Sequence, residues 1–156
     1  MATANTLRET LVFEGVGLHT GEKCKIVLHP DLTSLSSLSV NGGEDDSPSP
    51  RAERELGGKA IPTHILLRKG NHTFPAHWDY VVDTTRATVL GDGAVRVSTV
   101  EHLLAALWMT GITHCVIEVL QGNEIPILDG GAWEFVEAIS PHPTASPRLF
   151  GAGRSA

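Results

Sequence analysis

The chain has 156 residues, 41% of them hydrophobic and 19% charged, with a mean hydropathy of +0.00. That is ordinary globular material for one domain with one core. Twelve Lys and Arg against eighteen Asp and Glu give a net charge of -6, which argues against a nucleic-acid binder, since such proteins carry a basic field. No apolar run reaches the ~20 residues of a membrane span. The start, Met1-Ala-Thr-Ala-Asn-Thr-Leu-Arg8, lacks the charged-then-apolar order of a secretory signal and the basic content of a transit peptide. Cys24 and Cys115 are too few for a disulfide framework and are read as reduced, buried thiols.

In chain order, residues 6–30 read as strand material, with Cys24, Ile26 and Leu28 alternating onto one face. Ahead of that face lies Gly15-Val-Gly-Leu-His-Thr-Gly21. Its spacing does not match G-x-G-x-x-G and no helix follows, so it is read as a tight turn needing positive φ rather than a nucleotide loop. Such a turn would hold the His19 ring in a defined place. Residues 31–60, rich in Ser, Gly, Asp and Pro, are too polar to offset their ordering entropy, and a surface loop or disordered insert is expected. Patterned sequence resumes at Ile61. Ile65-Leu-Leu-Arg68 predicts a short strand, and Ala87–Leu90 and Ala94–Val97 around Gly91-Asp-Gly93 predict a hairpin. A helix is predicted from Thr99 to Met109, stopped by Gly111. A strand follows over Thr113–Leu120, and Glu124-Ile-Pro-Ile suits an edge strand or a strand end. A second helix is predicted from Ala132 to Ile139, ended by Pro141 and Pro143, with a low-complexity tail over 141–156. The sum is an α+β two-layer sandwich, one mainly antiparallel sheet packed against two helices.

The strongest local signal is Ser98-Thr-Val-Glu-His-Leu-Leu-Ala-Ala-Leu107. With Val100 at zero on a wheel of about 100° per residue, Leu103, Leu104 and Leu107 fall close to it. Glu101 lies on the border at about 100° and His102 opposite the apolar stripe at about 200°. His102 therefore does not pack into its own helix's core, and it shares its face with the small residues Ala105 and Ala106. Ser98-x-x-Glu101 has the spacing of a capping box, and His102 alone could be a solvated surface histidine. Alternatively the pair is a general base beside a metal ligand. No His-x-x-x-His, His-Glu-x-x-His or His-x-x-x-Asp spacing occurs, so this chain does not supply a full set of zinc ligands by spacing. Asp129, in Ile125-Pro-Ile-Leu-Asp-Gly-Gly-Ala132, could cap the second helix or orient a histidine.

Three strings in order, Gly15-Val-Gly-Leu-His-Thr-Gly21, Val97-Ser-Thr-Val-Glu-His-Leu-Leu-Ala-Ala-Leu107 and Glu124-Ile-Pro-Ile-Leu-Asp-Gly130, make residues 6–139 resemble the UDP-3-O-acyl-N-acetylglucosamine deacetylases, zinc hydrolases of lipid A biosynthesis. Asp83-Thr-Thr-Arg-Ala-Thr88 and Gly111-Ile-Thr-His-Cys115 add to the likeness. The resemblance implies two tandem α+β domains with the active site between them, of which residues 1–140 correspond to the first. It implies Glu101 as general base and His102 as one ligand of Zn2+. His19, Thr85, Arg86 and Asp129 would lie around the site, contacting substrate or supporting the pair. The implied reaction hydrolyses the acetamide of UDP-3-O-acyl-N-acetylglucosamine, releasing acetate and the 2-amino sugar nucleotide. The family's other zinc ligands, in a His-x-x-x-Asp motif, and its second catalytic histidine belong to the second domain. The expectation is thus a first half only, needing a chain that carries the rest or else catalytically inert. The expected location is the cytoplasm, or an organelle if the N-terminus is incomplete.

Overall fold

The computed structural model describes residues 5–31 and 64–140. The expected insert, apart from Asp31, and the low-complexity tail lie outside the described residues. Asp31 itself is buried.

Strands β1 (Leu11–Val16) and β2 (Lys23–Pro30) form an antiparallel pair, with Leu11 opposite Leu28 and Val16 opposite Lys23. Strands β3 (His64–Lys69) and β4 (His72–Pro75) form a hairpin around Gly70, whose φ of 58° a glycine adopts without strain. Three short strands follow, β5 (Val81–Asp83), β6 (Val89–Asp92) and β7 (Val95–Val97), then helix α1 (Glu101–Met109), strand β8 (His114–Gln121) and helix α2 (Trp133–Ile139). The main sheet has the order β1-β2-β8-β3-β4, antiparallel except for the β3–β8 pair. Strands β5, β6 and β7 make a separate three-stranded sheet. The α+β class is as the sequence implies, with a second small sheet added to the expected one.

The alternation in β2 works as predicted: Cys24, Ile26 and Leu28 are buried. Ile26 and Leu28 share one core cluster with Val100 and with Leu103 and Leu107 of α1, and Leu104 packs at its margin. Phe135 of α2 stands against Phe13 of β1, ring centroids 4.9 Å apart and tilted by 58°. Both cysteines are free and buried. Burial pushes the Cys115 thiol up to about 12, with the Asp31 charge adding to it.

Three local expectations are corrected. Helix α1 begins at Glu101 rather than Thr99, because Thr99 sits at a φ of 58°, which no helix can include. Ala106 is fully buried in the core, so of the two alanines only Ala105 shares the open face with His102. Glu124-Ile-Pro-Ile is not a strand; Glu124 makes one isolated parallel bridge to Ser98, and the segment then leaves the sheet.

Candidate functional site

The site is built at the head of α1. The capping box does not form: Val100 occupies the N-cap position and no side chain caps it. Ser98 is engaged elsewhere, its hydroxyl and its amide both donating to the carbonyl of Asn123, at 3.2 Å and 2.9 Å. Glu101 is therefore not turned back on its own helix. Its Oε2 accepts the backbone N–H of Thr88 at 3.2 Å, which fixes the half-buried carboxylate against the loop between β5 and β6. Its Oε1 has no partner among the described residues and is free to accept a proton from a water molecule. His102 is half-buried, outside the core, and its ring has no hydrogen-bond partner among the described residues.

The Thr88 bond also places the loop that carries Thr85 and Arg86. Thr85 folds onto Asp83: its N–H and hydroxyl both donate to Asp83 Oδ1, at 2.9 Å and 2.7 Å. The hydroxyl bond first, and the amide bond with it, hold the Asp83 carboxyl below its ordinary value. Arg86 is exposed. Residues 85 and 86 thus stand within three residues of the amide that holds Glu101, but neither touches it.

His19 lies in the turn between β1 and β2, exposed, where Gly21 takes a φ of 66° and its N–H closes onto the carbonyl of Gly17 at 3.0 Å. The expected tight turn is present. Its anchor was not foreseen from sequence. The carboxylate of Glu124, 0% exposed, accepts the N–H of His19 and the N–H and hydroxyl of Thr20 on one side, and the Thr99 hydroxyl on the other. Burial raises the Glu124 pKa, but the bonds from Thr99, His19 and Thr20 outweigh it and hold the carboxyl below its ordinary value. The signal available in sequence was an acidic residue opening the otherwise apolar run Glu124-Ile-Pro-Ile-Leu128.

Asp129 neither caps α2 nor touches a histidine. It is exposed, and its Oδ1 accepts the N–H of Gly131 at 3.0 Å, a local turn. The preceding residues still tie this loop to the glycine turn, through Ile127 N–H donating to the carbonyl of Val16 at 3.0 Å.

Among the described residues no three His, Cys, Asp or Glu side chains come together in a group that could hold a metal ion. A protein zinc site takes three or four ligands, so the described residues alone do not fit one. His102 is a single donor.

A family model described as UDP-3-O-acyl N-acetylglycosamine deacetylase matches residues 58–146. The chain belongs to that family. The UDP-3-O-acyl-N-acetylglucosamine deacetylase of Aquifex aeolicus is 39% identical over 139 residues, 89% of this chain and 39% of the relative. The relative of the same name in Teredinibacter turnerae is 36% identical over 136 residues, 87% of this chain and 37% of its own. A protein of Chlorobaculum tepidum named bifunctional enzyme LpxC/FabZ is 35% identical over 134 residues, 86% of this chain and 23% of its own. The chain thus spans less than two fifths of the length of these curated relatives. No described helix is long and apolar enough to cross a membrane.

Proposed function

We propose that this chain provides the first half of a deacetylase acting on UDP-3-O-acyl-N-acetylglucosamine in lipid A biosynthesis, in the cytoplasm, with residues 1–140 as its first domain. The observation that carries the reading is the Glu101–His102 pair at the head of α1, with Glu101 Oε2 fixed by the Thr88 amide and the other oxygen open. A carboxylate so held is a general base: it takes a proton from the water that attacks the acetamide carbonyl, and can return it to the leaving amine. His102 offers one imidazole to Zn2+, whose remaining ligands come from outside the described residues. His19, Thr85, Arg86 and Asp129 stand on the three loops tied to this point and contact substrate or support the pair.

The exposed helix surface favours a second reading for the chain by itself, an inert fragment or a partner of a full-length deacetylase. Trp108 is 82% exposed and Trp133 67%, more aromatic surface than an isolated helix layer ordinarily leaves to water.

Reconstitution separates the two. The chain alone is expected to release no acetate from UDP-3-O-acyl-N-acetylglucosamine. Together with zinc and a polypeptide spanning the remaining length of the Aquifex aeolicus relative, it should turn over, and Glu101→Gln should lower kcat by about 100- to 10,000-fold. Turnover that survives Glu101→Gln sinks the role given to Glu101. A tight complex without turnover favours the second reading.

A further inference from the structure

We infer that Glu124 is a positioning residue: its buried carboxylate fastens the glycine turn that carries His19 to Thr99, two residues ahead of α1, and so sets Glu101 and His102 in place relative to that turn. The inference deepens the reading of Glu101 and His102 above.

A carboxylate removed from water must be compensated, and Glu124 has no ion-pair partner among the described residues. Four donors from two distant parts of the chain compensate it instead. Oε1 accepts the His19 N–H at 3.1 Å and the Thr99 hydroxyl at 2.7 Å. Oε2 accepts the Thr20 N–H at 3.2 Å and the Thr20 hydroxyl at 2.9 Å. Oε1 is therefore shared between the turn and the helix start. Packing agrees: a Cβ on Gly17 would collide with this carboxylate, so the turn is shaped around it.

On the other side, Thr99 holds a φ of 58°, a conformation that a β-branched residue keeps only where its surroundings fix it. The Glu124 bond is one such constraint. The neighbouring backbone is the other, with Ile125 N–H donating to the carbonyl of Ser98 at 3.0 Å. One residue on, Val100 N–H reaches the carbonyl of Thr88 at 3.4 Å, and Thr88 N–H reaches Glu101. The Thr88 amide thus reports whether Glu101 is in place. Only a group accepting on both oxygens serves four donors. A glutamine would turn a donor toward two of them.

The test perturbs one end and reads the other, by amide and imidazole NMR spectra and hydrogen exchange of the full chain at fixed pH. Thr99→Val keeps the branch and the volume but loses the hydroxyl, and should shift the His19 amide signal. Thr20→Val, in the turn, should speed exchange at Thr88 about tenfold and shift the His102 ring signals. Thr99→Ser and Thr20→Ser, which keep the hydroxyls, should restore the wild-type pattern. Glu124→Gln should do both at once, and if it fails to fold the threonine pairs decide alone. Leu67→Ala, in the core of β3, is the control for general loss of stability and should move neither set. Signals that change only at the perturbed end, or that change equally in Leu67→Ala, overturn the inference. These readouts need no turnover, so a failure of the deacetylase reading leaves them interpretable.

Discussion

At the residue scale, two acidic side chains near the head of α1 are held in different ways. Glu101 is half-buried with one oxygen open, while Glu124 is enclosed with both oxygens filled. Their titration consequences differ accordingly. Glu124 has a folded pKa below its ordinary 4.5, so it contributes stability that is fully present above that value. The contribution is lost as pH falls through the folded value. Thermal unfolding followed from pH 7 to pH 3 should show the melting temperature dropping at the acid end. Glu124→Gln should melt lower at pH 7, by the equivalent of about 1–3 kcal/mol for stranded donors, and with a shallower acid slope. Some slope remains, because the Glu118 carboxyl is also held low, by its hydrogen bond from His29 and then by Arg68. A variant whose acid slope equals the wild type's would show that Glu124 titrates as it does in the unfolded chain. The pair Glu101–His102 could be picked out from a helical wheel because it depends on one helix. Glu124 could not, because its donors Thr20 and His19 lie 104 and 105 positions away in sequence.

At the scale of elements, the longer strands were legible, while the short strands β4 and β5 and the junctions were not. The buried positions Cys24, Ile26 and Leu28 of β2 and Cys115, Ile117 and Val119 of β8, and the glycines at 93 and 111, follow from local rules, though Val27 and His114 are buried as well. The start of α1 broke those rules. Ser98-x-x-Glu101 has capping-box spacing, but the Asn123 carbonyl takes Ser98 and the Thr88 amide takes Glu101, both long-range contacts. Glu124-Ile-Pro-Ile likewise reads as strand by composition, yet the Glu124 carboxylate is drawn into the turn instead of lying along the sheet. Two glycines separate conformational from steric need. Gly93, at a φ of 59°, has nothing within 4 Å of an added Cβ, whereas at Gly122, with a φ of 77°, a Cβ would meet the Lys23 carbonyl at 3.0 Å and the Cys24 sulfur at 3.1 Å. Gly93→Ala should cost about 1 kcal/mol from backbone conformation alone. Gly122→Ala should cost more by about 1–3 kcal/mol, since the crowded neighbour is backbone at the start of β2, an inner strand. Denaturant midpoints of the two variants measure the difference, and equal losses would mean that β2 yields without cost.

At the scale of the whole molecule, the helix layer is covered on one side only among the described residues. Leu103, Ala106 and Leu107 of α1 and Phe135 of α2 face the sheet and are buried. On the outer side Trp108 is 82% exposed, Met109 55% and Trp133 67%. Ala105 and Met109 share the open face of α1 with His102. The candidate site and the bare aromatic surface therefore lie on one helix layer, and the first-half reading expects one polypeptide to cover both. An apolar surface left to water drives association. Sedimentation of the wild-type chain should give a mass rising with concentration above 16.7 kDa, while the Trp108→Ser, Trp133→Ser double variant should stay near that value. The variant should keep its melting temperature, since exposed substitutions cost within about 0.5 kcal/mol. The polypeptide that completes the length of the relatives should suppress self-association of the wild type and blue-shift its tryptophan emission, because it would take the same surface. Self-association that persists beside that polypeptide would place its docking elsewhere and separate the aromatic face from the site.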